Sequence, residues 1–267
     1  MRNLFTSRHA SQAVRVLPLL LGLSLVSLPT GAGASEGGEL KHVDWSFKAP
    51  FGMFDRAQLK RGFQVYKEVC AACHSVKYVT YRNLGEDGGP EFSEAEVKAI
   101  AAGANVTDGP NADGEMFERP AEPKDKIIKP FPNDNAARAA NNGALPPDLS
   151  LMSKARKNGP DYVYSLLTGY GEPPADVTMA DGMNYNAYFP GHQIAMPAPL
   201  SDDQVTYEDG TAASVDQMAR DVTAFLAWTA EPKLEDRHRL GFKAMIFLAV
   251  LAGLLFASYR RVWKDRH

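Results

Sequence analysis

Asp55-Arg-Ala-Gln-Leu-Lys-Arg-Gly-Phe-Gln-Val-Tyr-Lys-Glu-Val-Cys70-Ala-Ala-Cys73-His74 is the stretch on which the fold turns. Asp55 is placed to cap a helix, with Gln58 three residues on completing a capping box. Leu59, Phe63 and Tyr66 follow at helical spacing, and Gly62 leaves room for another element to approach closely. The helix runs into C-x-x-C-H, which in an exported chain reads as c-type haem attachment. On a helix, residues three and four apart share a face. Cys70 and Cys73 can then form thioethers to the two vinyl groups, and His74 turns its imidazole to the iron. They are the only cysteines of the 267 residues. A thioredoxin-like dithiol lacks its βαβ surroundings here, and a zinc site lacks a second Cys/His pair.

Both ends of the chain lie outside this domain. Residues 1–34 hold Arg2, Arg8 and Arg15, the apolar run Val16-Leu-Pro-Leu-Leu-Leu-Gly-Leu-Ser-Leu-Val, and Ala32-Gly33-Ala34, a small-residue cleavage pattern. They read as a signal peptide cut after Ala34. Leu240–Tyr259 is a 20-residue apolar stretch with one charge, Lys243, near its start. That length crosses a hydrocarbon core as a helix. Arg260, Arg261, Lys264 and Arg266 follow, so residues 260–267 form a basic cytoplasmic tail. Residues 35–239 are then expected on the non-cytoplasmic side of the membrane, which in the bacterial form that the resemblance below implies is the periplasm.

The net charge of −3 conceals an asymmetry. Residues 35–239 carry 31 Asp and Glu against 21 Lys and Arg, a net −10. Such a domain repels nucleic acid and attracts a basic partner.

A second axial ligand is needed. Met116, Met152, Met179, Met183, Met196 and Met218 are available, with His192 and His42 as nitrogen alternatives. Met218 falls on the apolar face Val215, Met218, Val222, Phe225, Leu226 of a helix that Ser214 and Gln217 cap. Met196 leads, because Ile194-Ala-Met-Pro-Ala-Pro-Leu200 is stiffened by proline. Small c-type cytochromes pack an N-terminal against a C-terminal helix, with attachment after the first and methionine before the second. This order predicts a mainly α, elaborated class I cytochrome c domain with long loops, plus one C-terminal transmembrane helix. Between the ligands, 83–135 reads as mostly surface loop with a short helix at Ser93–Ala102. Further helices are expected at Asp148–Lys157 and Asp161–Thr168. By spacing alone, Arg156 is a solvated helix residue.

The chain closely resembles the cytochrome c1 family, the haem subunits of ubiquinol:cytochrome c oxidoreductases (cytochrome bc1 complexes), in a bacterial form. The stretches that carry the resemblance include GFQVYKEVCAACHSVKY, RAANNGALPPDLS, ARKNGPDYVYSLLTGYGEPP, YNAYFPGHQIAMPAPL and VTYEDGTAASVDQMARDVTAFLAWTAEP, followed by the anchor. C-x-x-C-H is common to all c-type cytochromes; the later stretches in this order are specific. The resemblance implies one covalent haem c on Cys70 and Cys73, with His74 and Met196 as axial ligands. It implies that Arg156 meets a haem propionate, that Tyr162 lies near the haem, and that Leu145 and Pro146 line the pocket. It further implies a Rieske iron–sulfur protein as donor, a soluble or tethered cytochrome c as acceptor, cytochrome b beside the anchor, and a dimeric complex. Some relatives carry cysteines that clamp the loop before the methionine. Gly171 stands at one such place here, leaving Pro173, Pro174, Pro197 and Pro199 to stiffen it.

Nothing in the sequence resembles acid–base or nucleophilic machinery, so the chain is expected to be a redox subunit and not an enzyme by itself. An open-iron haem that binds a gas would follow if Met196 were not a ligand, and a haem-free protein with a Cys70–Cys73 disulfide is a third reading.

Overall fold

A computed structural model describes residues 38–265. The signal-peptide segment 1–34 lies outside the described residues. The fold is mainly α, as expected: α1 (Arg56–Glu68), α2 (Glu94–Ala102), α3 (Asp134–Ala140), α4 (Met152–Ala155), α5 (Gly159–Leu167), α6 (Val215–Ala230) and α7 (Leu234–Trp263). Two short antiparallel pairs complete it, β1 (Asn105–Asp108) with β2 (Phe117–Pro120), and β3 (Asn184–Tyr185) with β4 (Gln193–Ile194).

The core is the crossing of α1 and α6. The expected faces are the buried ones: Leu59, Phe63 and Tyr66 from α1, Met218, Val222, Phe225 and Leu226 from α6. Phe225 stands 5.7 Å from the rings of both Phe63 and Tyr66. Each such side chain contributes about 1.5–3 kcal/mol on full burial. Gly62 sits at the crossing point. A Cβ there would lie 2.1 Å from the Asp221 carbonyl oxygen and 2.8 Å from Phe225 Cβ. Asp221, fully buried, accepts from Arg61 Nε at 2.9 Å and from Gln217 Nε2 at 2.9 Å. The other side of α6 takes α4 and α5, so its C-terminal half is buried all round.

Several local expectations are corrected. Asp55 and Ser214 do cap α1 and α6, accepting from Gln58 N at 3.0 Å and Gln217 N at 3.2 Å. Neither closes a full capping box, and Gln217 spends its amide on Asp221. The complete box belongs to α2, where Ser93 and Glu96 bond reciprocally. The helix expected from Asp148 to Lys157 shrinks to Met152–Ala155. Its first residues are taken by other partners: Asp148 binds the 75–77 segment, and Ser150 accepts from Tyr78 N at 3.1 Å. The next helix starts early, at Gly159, with Pro160 in its first turn. Within 83–135 the expected short helix forms as α2, capped by Ser93; the rest is more ordered than a surface loop, since it holds the β1–β2 hairpin, pinned by Arg119 between Asp108 and Asp125.

The N-terminal segment of the domain is fastened to α5 through a buried carboxylate. Asp161 accepts from Trp45 Nε1 at 2.6 Å and Lys48 Nζ at 2.7 Å, and lies 2.9 Å from His42 Nδ1.

The membrane-length helix begins inside the domain. Leu234 and Glu235 are buried, whereas 240–259 is exposed along its length. At 30 residues, α7 is about 45 Å long. Glu231, the C-cap of α6, pairs with Arg237 of α7 and Lys154 of α4, each at 2.6 Å.

Two measurements test this packing. Gly62→Ala is expected to lower unfolding stability by about 1–3 kcal/mol, since the added methyl meets backbone that cannot retreat, as read by chemical denaturation. Arg237, against the opposing effect of burial, and then Lys154 pull the Glu231 carboxyl down from 4.5 to about 2. Its contribution is therefore present in full above about pH 4.5 and is lost as pH falls toward 2. The pH profile of unfolding for Glu231→Gln should lack that component.

Candidate haem site

The candidate residues fall on two walls of the fold, the turn after α1 and the loop after α5, both from helices packed on α6. On the first, α1 ends at Glu68 and the chain tightens into a single 3-10 turn, Cys70–Ala72. This replaces the continuous α-helix expected through C-x-x-C-H. Cys73 N and His74 N both return to the Cys70 carbonyl, at 3.1 and 2.9 Å. In a 3-10 turn residues i and i+3 eclipse, so the two cysteines stack more directly than on an α-helix. Both are free, half-buried thiols. Burial and then the neighbouring Cys73 push the Cys70 thiol up to about 12, which keeps it protonated at neutral pH, unlike an activated thiol pair.

His74 is oriented by backbone. Its Nδ1 lies 2.8 Å from the Pro147 carbonyl, an acceptor only, so Nδ1 carries the proton and donates. The lone pair is thereby placed on Nε2, in the arrangement by which metal-binding histidines are fixed. Burial holds the imidazole below its usual pKa, against the raising effects of Pro147 and Asp148. Pro147 is itself held in place. Asp148 accepts from Ser75 Oγ at 2.7 Å and Lys77 N at 2.9 Å, and Leu149 N donates to the Ser75 carbonyl at 2.7 Å. Leu145 and Pro146 therefore stand immediately before the carbonyl that holds His74, Leu145 37% exposed and Pro146 half-buried.

The second wall carries Met196. Tyr170 Oη donates to the Met196 carbonyl at 3.1 Å. Burial, and after it Tyr162, raise the Tyr170 phenol well above its usual value, which puts Tyr162 in the same neighbourhood. The loop is folded back by β3 and β4 and anchored by Asn186, which is fully buried. Asn186 Nδ2 donates to the Leu166 carbonyl at 2.8 Å, its Oδ1 accepts from Tyr188 N at 3.0 Å and Phe189 N at 3.1 Å, and its own N–H donates to the His192 carbonyl at 3.0 Å. Ala187 N adds a bond to the Gly169 carbonyl at 2.9 Å. A set of satisfied hydrogen bonds thus stiffens this loop where Gly171, with open space around it, stands in place of a cysteine.

Most of the other candidate ligands lie in other surroundings, while Met179 and Met183 sit half-buried in the turn-rich stretch before β3. Met218 is core, and Met152 packs partly against it. Met116 is exposed near the hairpin tip. His42 faces Asp161, and His192, at φ 58°, stacks on Tyr185. Arg156 is exposed; its guanidinium donates to the Ala155 carbonyl and has no carboxylate partner among the described residues. The sequence reading missed Pro147, Asp148, Tyr170 and Asn186. Only the Pro-Pro-Asp turn signal marked any of them in advance.

Two free thiols three residues apart and an imidazole presented through Nε2 form a donor set that fits a haem. Fold and site are those of a membrane-anchored cytochrome c-type domain. The family model of the cytochrome C1 family matches residues 45–266, and the chain belongs to that family. It is 49% identical over 258 residues to cytochrome c1 of Rhodospirillum rubrum, covering 90% of this chain and 94% of that protein. Against "Cytochrome c1 1, heme protein, mitochondrial" of Arabidopsis thaliana it is 49% identical over 268 residues, 97% of this chain and 86% of the relative. It is also 51% identical over 256 residues to "Cytochrome b/c1" of Bradyrhizobium diazoefficiens; that match takes in 88% of this chain but only 37% of the longer protein.

Asn186→Ala would strand the Leu166 carbonyl and the Tyr188 and Phe189 amides. It is expected to cost roughly 2–3 kcal/mol and to abolish hydrogen-exchange protection at those two amides while leaving the α1–α6 amides protected.

Proposed function

We propose that the chain is the electron-relay subunit of a cytochrome bc1 complex, with one haem c bound through thioethers of Cys70 and Cys73. His74 and Met196 are the axial ligands in this reading. When bound, the haem supplies a one-electron carrier whose methionine ligand raises its potential. The single observation that carries the reading is the His74 imidazole, fixed by Pro147 with Nε2 left to coordinate, directly after two free cysteines in a member of this family. Tyr170 and Asn186 hold the Met196 loop so that the thioether does not have to be ordered on binding. Arg156, with no carboxylate partner of its own among the described residues, serves a haem propionate. Tyr162, Leu145 and Pro146 complete the surround.

The chain takes electrons from the Rieske iron–sulfur protein and passes them to a soluble or tethered cytochrome c. The net −10 of residues 35–239 suits an acceptor with a basic face. The anchor packs beside cytochrome b in a dimeric complex. The signal peptide and the basic residues after Tyr259 both support a periplasmic head and a cytoplasmic C-terminus.

The test compares reduced-minus-oxidised spectra and haem-stained denaturing gels of membranes holding the native chain or Met196→Leu. Haem at the chain's mass in both is expected, with reduction by ascorbate lost and carbon monoxide binding gained in the variant. An unchanged spectrum and potential in Met196→Leu would move the ligand elsewhere; no staining in the native chain would remove the covalent haem.

A further inference from the structure

The segment just before α1 runs down the first turns of α7, one contact per turn. Phe54 N and Arg56 meet Glu235, at 2.9 and 2.6 Å. The Gly52 carbonyl meets His238 Nδ1 at 3.3 Å. Phe51 meets Phe242 edge to face, ring centres 5.4 Å apart. Each step moves further from the domain, and the last lies beyond Leu240, where the apolar stretch begins.

The tip is rigid. Phe47 packs on Phe54 at 4.7 Å and on Trp45 at 5.6 Å. Gly52 N donates to the Ala49 carbonyl at 2.7 Å and Met53 N to the Ser46 carbonyl at 3.1 Å. A Cβ on Gly52 would lie 2.5 Å from the Phe47 carbonyl carbon, so the turn admits only glycine. The built turn nevertheless holds two large apolar side chains outward, Phe51 70% and Met53 58% exposed. They are continuous with Phe242 and Met245 of the anchor, themselves 52% and 67% exposed.

We infer that Phe51 and Met53 form a second membrane contact, seated in the lipid of the periplasmic leaflet beside the first turns of α7. The inference rests on α7 as the membrane span. The occupant follows from continuity: the patch is one surface with the exposed face of that helix and ends at the same level. An aromatic ring and a thioether suit the boundary between headgroups and acyl chains. With two attachments, the head is tied to the bilayer at a fixed height and tilt.

Site-directed spin labelling of the full chain in its native membranes tests this. Single variants Phe51→Cys, Met53→Cys, Leu254→Cys and Met116→Cys are labelled, and collision with oxygen, which partitions into lipid, is compared with collision with a water-soluble nickel chelate. The ratio at 51 and 53 is expected to be several-fold above that at 116 and on the same side as 254. A nickel preference at 51 and 53 like that at 116 overturns the inference, and so does shielding from both reagents, which would put a protein partner on the patch. A nickel preference at 254 would overturn the span and the inference together. The unsubstituted chain should take up no label if Cys70 and Cys73 are consumed by haem; labelling there would count against the proposed function, and the lipid contact would still be read from the differences between variants.

Discussion

The approach of the α1 and α6 backbones at Gly62 and Asp221 is the constraint on which the rest depends. Helices separated by ordinary side chains sit 8–10 Å apart; glycine at the contact lets these come closer. The same approach buries Asp221 completely, and a buried carboxylate needs a partner. Arg61, the residue before Gly62, supplies it, bridging to Asp209 as well at 2.8 Å. One local choice on α1 thus sets the helix spacing, and its neighbour neutralises the charge that the spacing buries. The C-x-x-C-H turn leaves the end of α1 in a fixed direction, and α5, which bears the methionine loop, packs on the other side of α6. Both walls of the site take their positions from this one crossing.

What could be read in the sequence was what short-range rules govern. The caps at Asp55 and Ser214, the apolar spacing of α1 and α6, the glycine at the crossing and the C-x-x-C-H motif all declare themselves within a few residues. The failures were non-local. Asp148 and Ser150 looked like a helix start because capping residues look the same whether they serve their own helix or another segment; here they serve residues 75–78, more than 70 positions away. The β1–β2 hairpin is held by Arg119 and two carboxylates, not by a clear apolar alternation. The stiffening of the Met196 loop was the largest omission. The sequence offered only prolines and a missing cysteine, while the work falls to Asn186 and Tyr170, whose partners lie 20 and 26 positions off.

Holding this loop by hydrogen bonds has a physical consequence. A disulfide acts mainly by narrowing the unfolded ensemble. A buried asparagine with three side-chain bonds acts in the folded state, and it does so all or nothing, because losing one partner strands the others. A loop held this way has a well-defined native geometry and little tolerance for partial opening. In the ligation proposed above, Met196 would need that combination, because freedom in the loop would be freedom to leave the iron.

The junction with α7 extends the same logic to the whole head. Glu235 is buried at the base, joined to Arg56 and the Phe54 amide; Arg56 also reaches Glu91, and Lys233 approaches Glu86. A helix attached through one peptide bond would let the domain swivel over the bilayer; one whose buried Glu235 pairs with Arg56 of α1 cannot turn without breaking that pair. For a relay between a donor and an acceptor, a fixed head keeps the exposed Leu145 edge at a constant height above the membrane. In the proposed relay, a head held this way leaves any change of distance to donor and acceptor to their own movement.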